Sequence, residues 1–217
     1  FDKGIISELW RETRAVLKGI APPLKDTIYL AYLDWLETQT GKKNEKTISW
    51  IKEVPELKEK KAPGNTCLSA LLSEKMGTFE EPINHSKGCG TVMRIAPIGL
   101  SIEDPLTAGK IAREASAITH GHELGMIPSD FEAIFINILI NEDLSLEDSL
   151  EKTLKLYAEN SSIYSEEFND YFLQLVNKAI VLSKENIQDT LAIKELGEGW
   201  VAEEALAIAL YSCLKHQ

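Results

Sequence analysis

Phe131-Glu132-Ala133-Ile134-Phe135-Ile136-Asn137-Ile138-Leu139-Ile140 is apolar nearly all the way round a helical wheel. A helix without a polar face has no side to give to water, so the stretch predicts a helix enclosed by others. Its neighbours supply that shell in helical spacing. Upstream, Asp104-Pro105 reads as an N-cap and first-turn pair, and Ala108, Ile111, Ala112, Ala115 and Ile118 form one buried stripe. Downstream, Ser145 and Asp148 resemble a capping box ahead of Leu146, Leu150, Leu154 and Tyr157. Two more helices follow, one on Phe172, Val176, Ala179 and Leu182, the other over residues 201–214. Towards the N-terminus, Ile6, Leu9, Trp10, Val16 and Leu17 make a stripe, and Pro22 and Pro23 interrupt the chain. Ile28, Ala31, Tyr32, Trp35 and Leu36 make the next stripe, which Gly41 ends. Asn65 opens another helix, with Leu68, Leu71 and Leu72 facing inward. Residues 42–61 are highly charged and read as a surface excursion or a short amphipathic helix, with Trp50 and Ile51 as its apolar anchors. No alternating strand of useful length and no internal repeat is present. Eight or nine helices in an all-α fold are predicted, as a single domain over residues 1–217.

The bulk composition narrows the function classes. With 44% apolar and 26% charged residues, the 217-residue chain is ordinary for a soluble globular protein. A net charge of -11 argues against a general nucleic-acid binder, whose surface must be basic. It leaves room for a small phosphate-bearing ligand, which a few backbone N–H groups can hold. There is no basic, serine-rich leader, and no apolar run approaches the roughly 20 residues of a membrane span. Cys67, Cys89 and Cys213 are an odd number at spacings that match no zinc module, and unpaired thiols point to the cytoplasm.

Residues 82–100 and 120–128 interrupt the helical pattern with glycine and proline. In the first, Gly88 and Gly90 would let consecutive peptide N–H groups point to one side and form an anion-binding nest. Thr91 could add a hydroxyl donor and Arg94 a charge. A glycine turn leading into buried chain, with Arg94 in a structural ion pair, is the alternative. In the second, His120 falls at a helix C-terminus, where the dipole favours a cation. His120, His122 and Glu123 could suggest a metal, but residues two apart on a helix face different sides and no third ligand is obvious. Gly64-Asn65-Thr66 is the third piece, with Asn65 as an N-cap or as an amide presented to a ligand.

In this order and spacing the three pieces resemble the ADP-ribosylglycohydrolase family. The resemblance rests on Gly64-Asn65-Thr66, on Gly88-Cys89-Gly90-Thr91-Val92-Met93-Arg94-Ile95-Ala96-Pro97, and on Ser116-Ala117-Ile118-Thr119-His120. A fourth match runs from Gly199-Trp200-Val201-Ala202-Glu203-Glu204 to Leu210, like the family's penultimate helix. The resemblance implies a compact, orthogonal multi-helix bundle with an ADP-ribose cleft. It implies that Gly90, Thr91 and Val92 wrap the pyrophosphate through backbone N–H groups, that His120 contacts the ligand, and that Asn65 lines the cleft. Gly88 and Met93 complete the expected ADP-ribose-binding set. The implied activity is hydrolysis of the N- or O-glycosidic bond of ADP-ribosylated proteins or small molecules.

The family's two Mg²⁺ ions are held by an N-terminal Thr-Asp-Asp motif and a C-terminal Asp-x-Asp-Thr/Ser motif. Neither motif occurs in this sequence; Lys25-Asp26-Thr27 and Asn169-Asp170 are the nearest imitations. No catalytic residue and no metal ligand is assigned, and both gaps fall at the chain ends. The expectation is therefore a chain incomplete at both ends and inactive as it stands, rather than a natural pseudoenzyme. The alternatives are a metal-independent ADP-ribose-binding module and a pseudoenzyme with a structural role.

Overall fold

The computed structural model describes residues 24–45, 50–60 and 62–217. The helix read over residues 6–17 and the break at Pro22 and Pro23 lie outside them. Nine α-helices are present among the described residues: α1 Leu24–Thr40, α2 Asn65–Leu72, α3 Ala96–Ser101, α4 Pro105–Ala117, α5 Glu123–Asn141, α6 Leu146–Asn160, α7 Glu166–Lys184, α8 Asp189–Leu196 and α9 Ala202–Lys215. One isolated antiparallel bridge, Gly88 to Val201, is the sole β-pairing among the described residues. The all-α class is as expected. No helix among the described residues is long and apolar enough to cross a membrane.

α5 is the enclosed helix that its composition predicted. It packs against α3, α4, α6, α7 and α9. On one side Phe131 meets the rings of Tyr157 and Phe172 edge-on, at 5.5 and 5.4 Å between centroids. On another, Ala133 joins Ile98, Ala108, Ala112 and Ala115, which connect to Ile28, Tyr32 and Leu36 of α1. The small residues of α4 let the two helices approach closely: a Cβ on Gly109 would sit 2.2 Å from Asp130 Oδ1. Asn137, one of two polar residues in the apolar run, donates from Nδ2 to Gly99 O at 3.2 Å and to Ile102 O. A buried amide so paired carries no desolvation penalty beyond its replacement bonds. A third apolar cluster joins α7, α8 and α9 through Ala179, Ala192, Leu196, Ala207 and Tyr211.

The caps follow the sequence. Asp104 accepts from Thr107 N at 2.7 Å, and Ser145 Oγ accepts from Asp148 N at 3.1 Å. Several elements differ. Residues 82–100 are not loop throughout, since α3 begins at Ala96 with Pro97 in its first turn, where the missing N–H has no intrahelical role. α5 begins at Glu123 and runs through Pro128; the packing of both helix flanks outweighs one missing backbone bond. α8 carried no recognised signal, being short and only partly apolar. Residues 42–61 hold two 3₁₀ turns, Trp50–Glu53 and Pro55–Leu57, with Ile51 buried and Trp50 exposed. Leu72 points outward, about 100° round the helix from the buried Leu71. Asn65 is the first helical residue of α2 and is exposed, with Gly64 at the N-cap.

Candidate functional site

The glycine loop is held on three sides. Asn84 begins it: Oδ1 accepts from Ser86 N at 2.9 Å and from Gly121 N at 3.0 Å, while Nδ2 donates to Thr119 O at 2.8 Å. One amide therefore joins the loop to the turn between α4 and α5. Ser86 Oγ accepts from Gly88 N at 3.3 Å and lies 3.2 Å from Thr66 Oγ1, which brings in the start of α2. On the third side Cys89 N donates to Trp200 O at 3.0 Å and Ala202 N to Lys87 O at 2.9 Å. Lys87 Nζ also pairs with Glu203 Oε1, whose carboxylate is fully buried. Removing one partner of a buried pair strands the other charge. Lys87→Ala is expected to lower stability by about 1–3 kcal/mol, the Lys end being half-exposed; chemical denaturation of K87A, E203Q and the double variant checks it, the double being the least affected relative to the sum.

Beyond Gly88 the chain turns tightly. Met93 N donates to Cys89 O at 3.3 Å, Arg94 N to Thr91 O and Ile95 N to Val92 O. The N–H groups of Gly90, Thr91 and Val92 have no acceptor among the described residues. Neither Gly88 nor Gly90 has a positive φ, so they are not needed for left-handed backbone. A first added carbon would fit at either position in ordinary contact. A Cβ on Gly88 would lie 3.4 Å from His120 Nε2, and one on Gly90 would lie 3.5 Å from His120 Cε1 and 3.7 Å from Cys67 Sγ.

His120 is buried, and it is not the cation its helix-end position suggested. Burial first, then the Arg94 guanidinium, push its pKa down to about 3. The reason is competition: a helix-end dipole is worth far less than desolvation plus a neighbouring positive charge. Arg94 donates to Thr119 Oγ1 at 2.7 Å, to Ala115 O at 3.2 Å and to Cys67 Sγ at 3.6 Å, and lies 4.8 Å from the centroid of the Tyr32 ring. Thr119 Oγ1 in turn lies 2.8 Å from His120 Nδ1.

The remaining expectations sort by side chain. The Thr91 hydroxyl is buried and donates to Gly88 O at 3.4 Å, so it is used within the turn rather than offered outward. Val92 packs in the core and Met93 is exposed. His122 caps α5, accepting from Leu124 N through Nδ1 at 3.0 Å, and Glu123 accepts from Ser165. His120, His122 and Glu123 thus serve three separate tasks. Sequence reasoning gave no role to Asn84 and Ser86, and it quoted Thr119 and Glu203 within matched motifs without one. Asn84 two residues before Ser86 is an Asx-turn spacing that could have been found; the cross-links of Thr119 and Glu203 join distant segments and leave no local signal.

The described residues do not assemble a hard-oxygen cage of the kind two Mg²⁺ ions require. No three His, Cys, Asp or Glu side chains cluster among them. Glu203 and Asp130 face Lys87 and Arg113, and Asp34 takes the Asn44 amide at 2.8 Å. Asn169, from the nearest imitation of a metal motif, is occupied by Tyr157 and Ser161.

Comparison with known proteins shows the family. The chain matches the ADP-ribosylglycohydrolase family over residues 4–217. It is similar to the ADP-ribosylhydrolase ARH3 of Bos taurus, at 26% identity over 139 residues, covering 60% of this chain and 38% of that relative. The chain thus spans well under half the length of this curated relative. With its glycine loop, its Thr-His turn and its α9 helix start drawn together in an all-α fold, and a family match over nearly its whole length, the chain belongs to the ADP-ribosylglycohydrolase family.

Proposed function

We propose that this chain provides the ADP-ribose-cradling part of a hydrolase that cleaves the N- or O-glycosidic bond of ADP-ribosylated substrates. One observation carries the reading: Gly90, Thr91 and Val92 are three successive residues whose N–H groups no acceptor among the described residues takes. Such a row suits a pyrophosphate, which brings several acceptor oxygens and negative charge to backbone dipoles. Gly88, Gly90 and Met93 would line this cradle, and Asn65 stands at the exposed start of α2. Transfer of the ADP-ribosyl group to water would use Mg²⁺ in the family, and the described residues contribute binding and orientation.

His120 fits the cradle as a neutral donor. A guanidinium can only donate, so Thr119 Oγ1 accepts from Arg94 and has its own proton to give to His120 Nδ1. With the hydroxyl donating to Nδ1, the ring proton would sit on Nε2, the atom beside Gly88 and Gly90. A phosphate oxygen above the glycines would receive it. The three free thiols, Cys67, Cys89 and Cys213, fit a cytoplasmic setting.

Isothermal titration of the chain with ADP-ribose, with and without Mg²⁺, tests the proposal. Binding supports the cradle, and binding that needs no metal favours the alternative of a binding module; absence of binding under both conditions sinks it. Gly90→Val should weaken binding at least tenfold while altering stability by under about 1 kcal/mol, because the first added carbon meets ordinary contacts and the rest fills the cradle.

A further inference from the structure

A cavity of about 280 Å³ lies between α4, the start of α1 and residues 76–80, and it shares no residue with the cradle. Its walls carry both charge signs and apolar surface. On α4, Lys110 and Glu114 are followed by Ile118 at the helix end, at four-residue intervals. Cation, carboxylate and aliphatic side chain therefore succeed one another along one face, about 6 Å apart. Lys25 from α1 and Glu80 add one charge of each sign, and Phe79 and Ile163 add apolar surface. None of Lys25, Lys110, Glu80 and Glu114 is in an ion pair with any described residue, although all four line one small space. Arg113, in the same wall, is fixed instead. Its Nη1 donates to Asp130 Oδ2 at 3.1 Å, and that buried oxygen also accepts from Tyr164 OH at 2.8 Å. The guanidinium lies 5.8 Å from the ring centroids of both Phe79 and Tyr164. A buried charge pair returns little stability over an apolar core, but it holds a planar cation rigid with further donors to spare.

We propose that this cavity is a second ligand site, for a small zwitterion: a free amino acid with an apolar side chain. The ligand's carboxylate lies between Arg113 and Lys110, its ammonium on Glu114, and its side chain along Ile118 and Phe79. The order of groups on α4 is then the order of groups on the ligand. A ligand of one sign would satisfy half of the unpaired charges and face repulsion from the rest. The volume falls just below that of pockets for drug-sized molecules, which suits a ligand as small as an amino acid.

Chemical-shift titration of isoleucine-methyl-labelled protein with L-phenylalanine tests this, because Ile118 and Ile163 report from the cavity wall. L-phenylalanine is expected to shift both methyls at millimolar concentration or below. Its singly charged analogues, 3-phenylpropanoate without the amine and phenylalaninamide without the carboxylate, should bind about tenfold or more weakly, each lacking a charged hydrogen bond. Lys110→Gln should weaken L-phenylalanine and 3-phenylpropanoate and leave phenylalaninamide within about twofold; Glu114→Gln should weaken L-phenylalanine and phenylalaninamide and spare 3-phenylpropanoate. Arg113→Lys keeps the charge against Asp130 but loses the fork, and should weaken L-phenylalanine about tenfold, with circular dichroism confirming the fold. No shift of either methyl, equal binding of the three molecules, or losses that ignore the matching charge would overturn the site. Calorimetry with ADP-ribose separates it from the cradle. K110Q and E114Q should bind ADP-ribose as wild type does, and a parallel loss would overturn a separate site.

Discussion

Gly121→Ala should cost the chain about 3 kcal/mol and abolish ADP-ribose binding at the same time. The added Cβ would lie 2.1 Å from Asn84 O and 2.8 Å from Pro82 Cβ, far inside contact distance and against backbone that cannot rotate away. Relief requires the chain around Asn84 to retreat. That movement breaks the bond from Gly121 N to Asn84 Oδ1 and the bond from Asn84 Nδ2 to Thr119 O. Both join the glycine loop to the turn that carries His120, so the two faces of the cradle separate. Urea denaturation reads the stability and calorimetry the binding. Gly90→Ala is the control, since its Cβ meets nothing nearer than 3.5 Å and should leave stability almost unchanged. Equal stability of G121A and wild type would show that the loop and the turn are not rigidly joined.

The second large effect is a pH dependence with two opposed limbs. Burial raises the Glu132 pKa from 4.5 to about 8, and its Oε2 has no hydrogen-bond partner among the described residues. The folded state therefore keeps a proton that the unfolded chain releases. Stability from Glu132 is complete below pH 4.5 and is lost as pH rises towards 8, at up to about 1.4 kcal/mol per unit. His120 has the reverse sign. Its folded pKa of about 3 lies below the ordinary 6.5, so the unfolded chain takes up a proton first and stability falls as pH drops from 6.5 towards 3. Glu132→Gln should match wild type near pH 5 and exceed it by several kcal/mol at pH 8, following that slope. Thermal or urea denaturation from pH 4 to pH 9 measures both limbs. A variant no more stable than wild type at pH 8 would mean that Glu132 is charged and solvated.

The helices were legible because their signals are local. The apolar decade at 131–140, the Asp104-Pro105 start and the Ser145 cap each express contacts made within one or two turns. Pro128 misled because a local breaker was overruled by burial on every side of α5. α8 was missed because its inward face is two residues, Ala192 and Leu196, too few to make a stripe. The candidate site was legible in part. Gly88, Gly90 and His120 were chosen as separate pieces, and the structure sets His120 against both glycines. Asn65 was chosen at the start of α2, where Thr66 makes the contact to the glycine loop.

The sequence alone thus determined the all-α class, the central helix and the segments that meet at the glycine loop, since periodicity, caps and ordered motifs are properties of neighbouring residues. Only the tertiary structure decided what those segments do to one another. That His120 is neutral depends on Arg94 and on burial. That Gly88 and Gly90 lie against the ring of His120 depends on contact between segments some 30 positions apart. That Trp200 stands beside the loop depends on a backbone bond to Cys89. Charge state, clearance and register are set by whatever packs nearby, and proximity of that kind arises only when the chain folds.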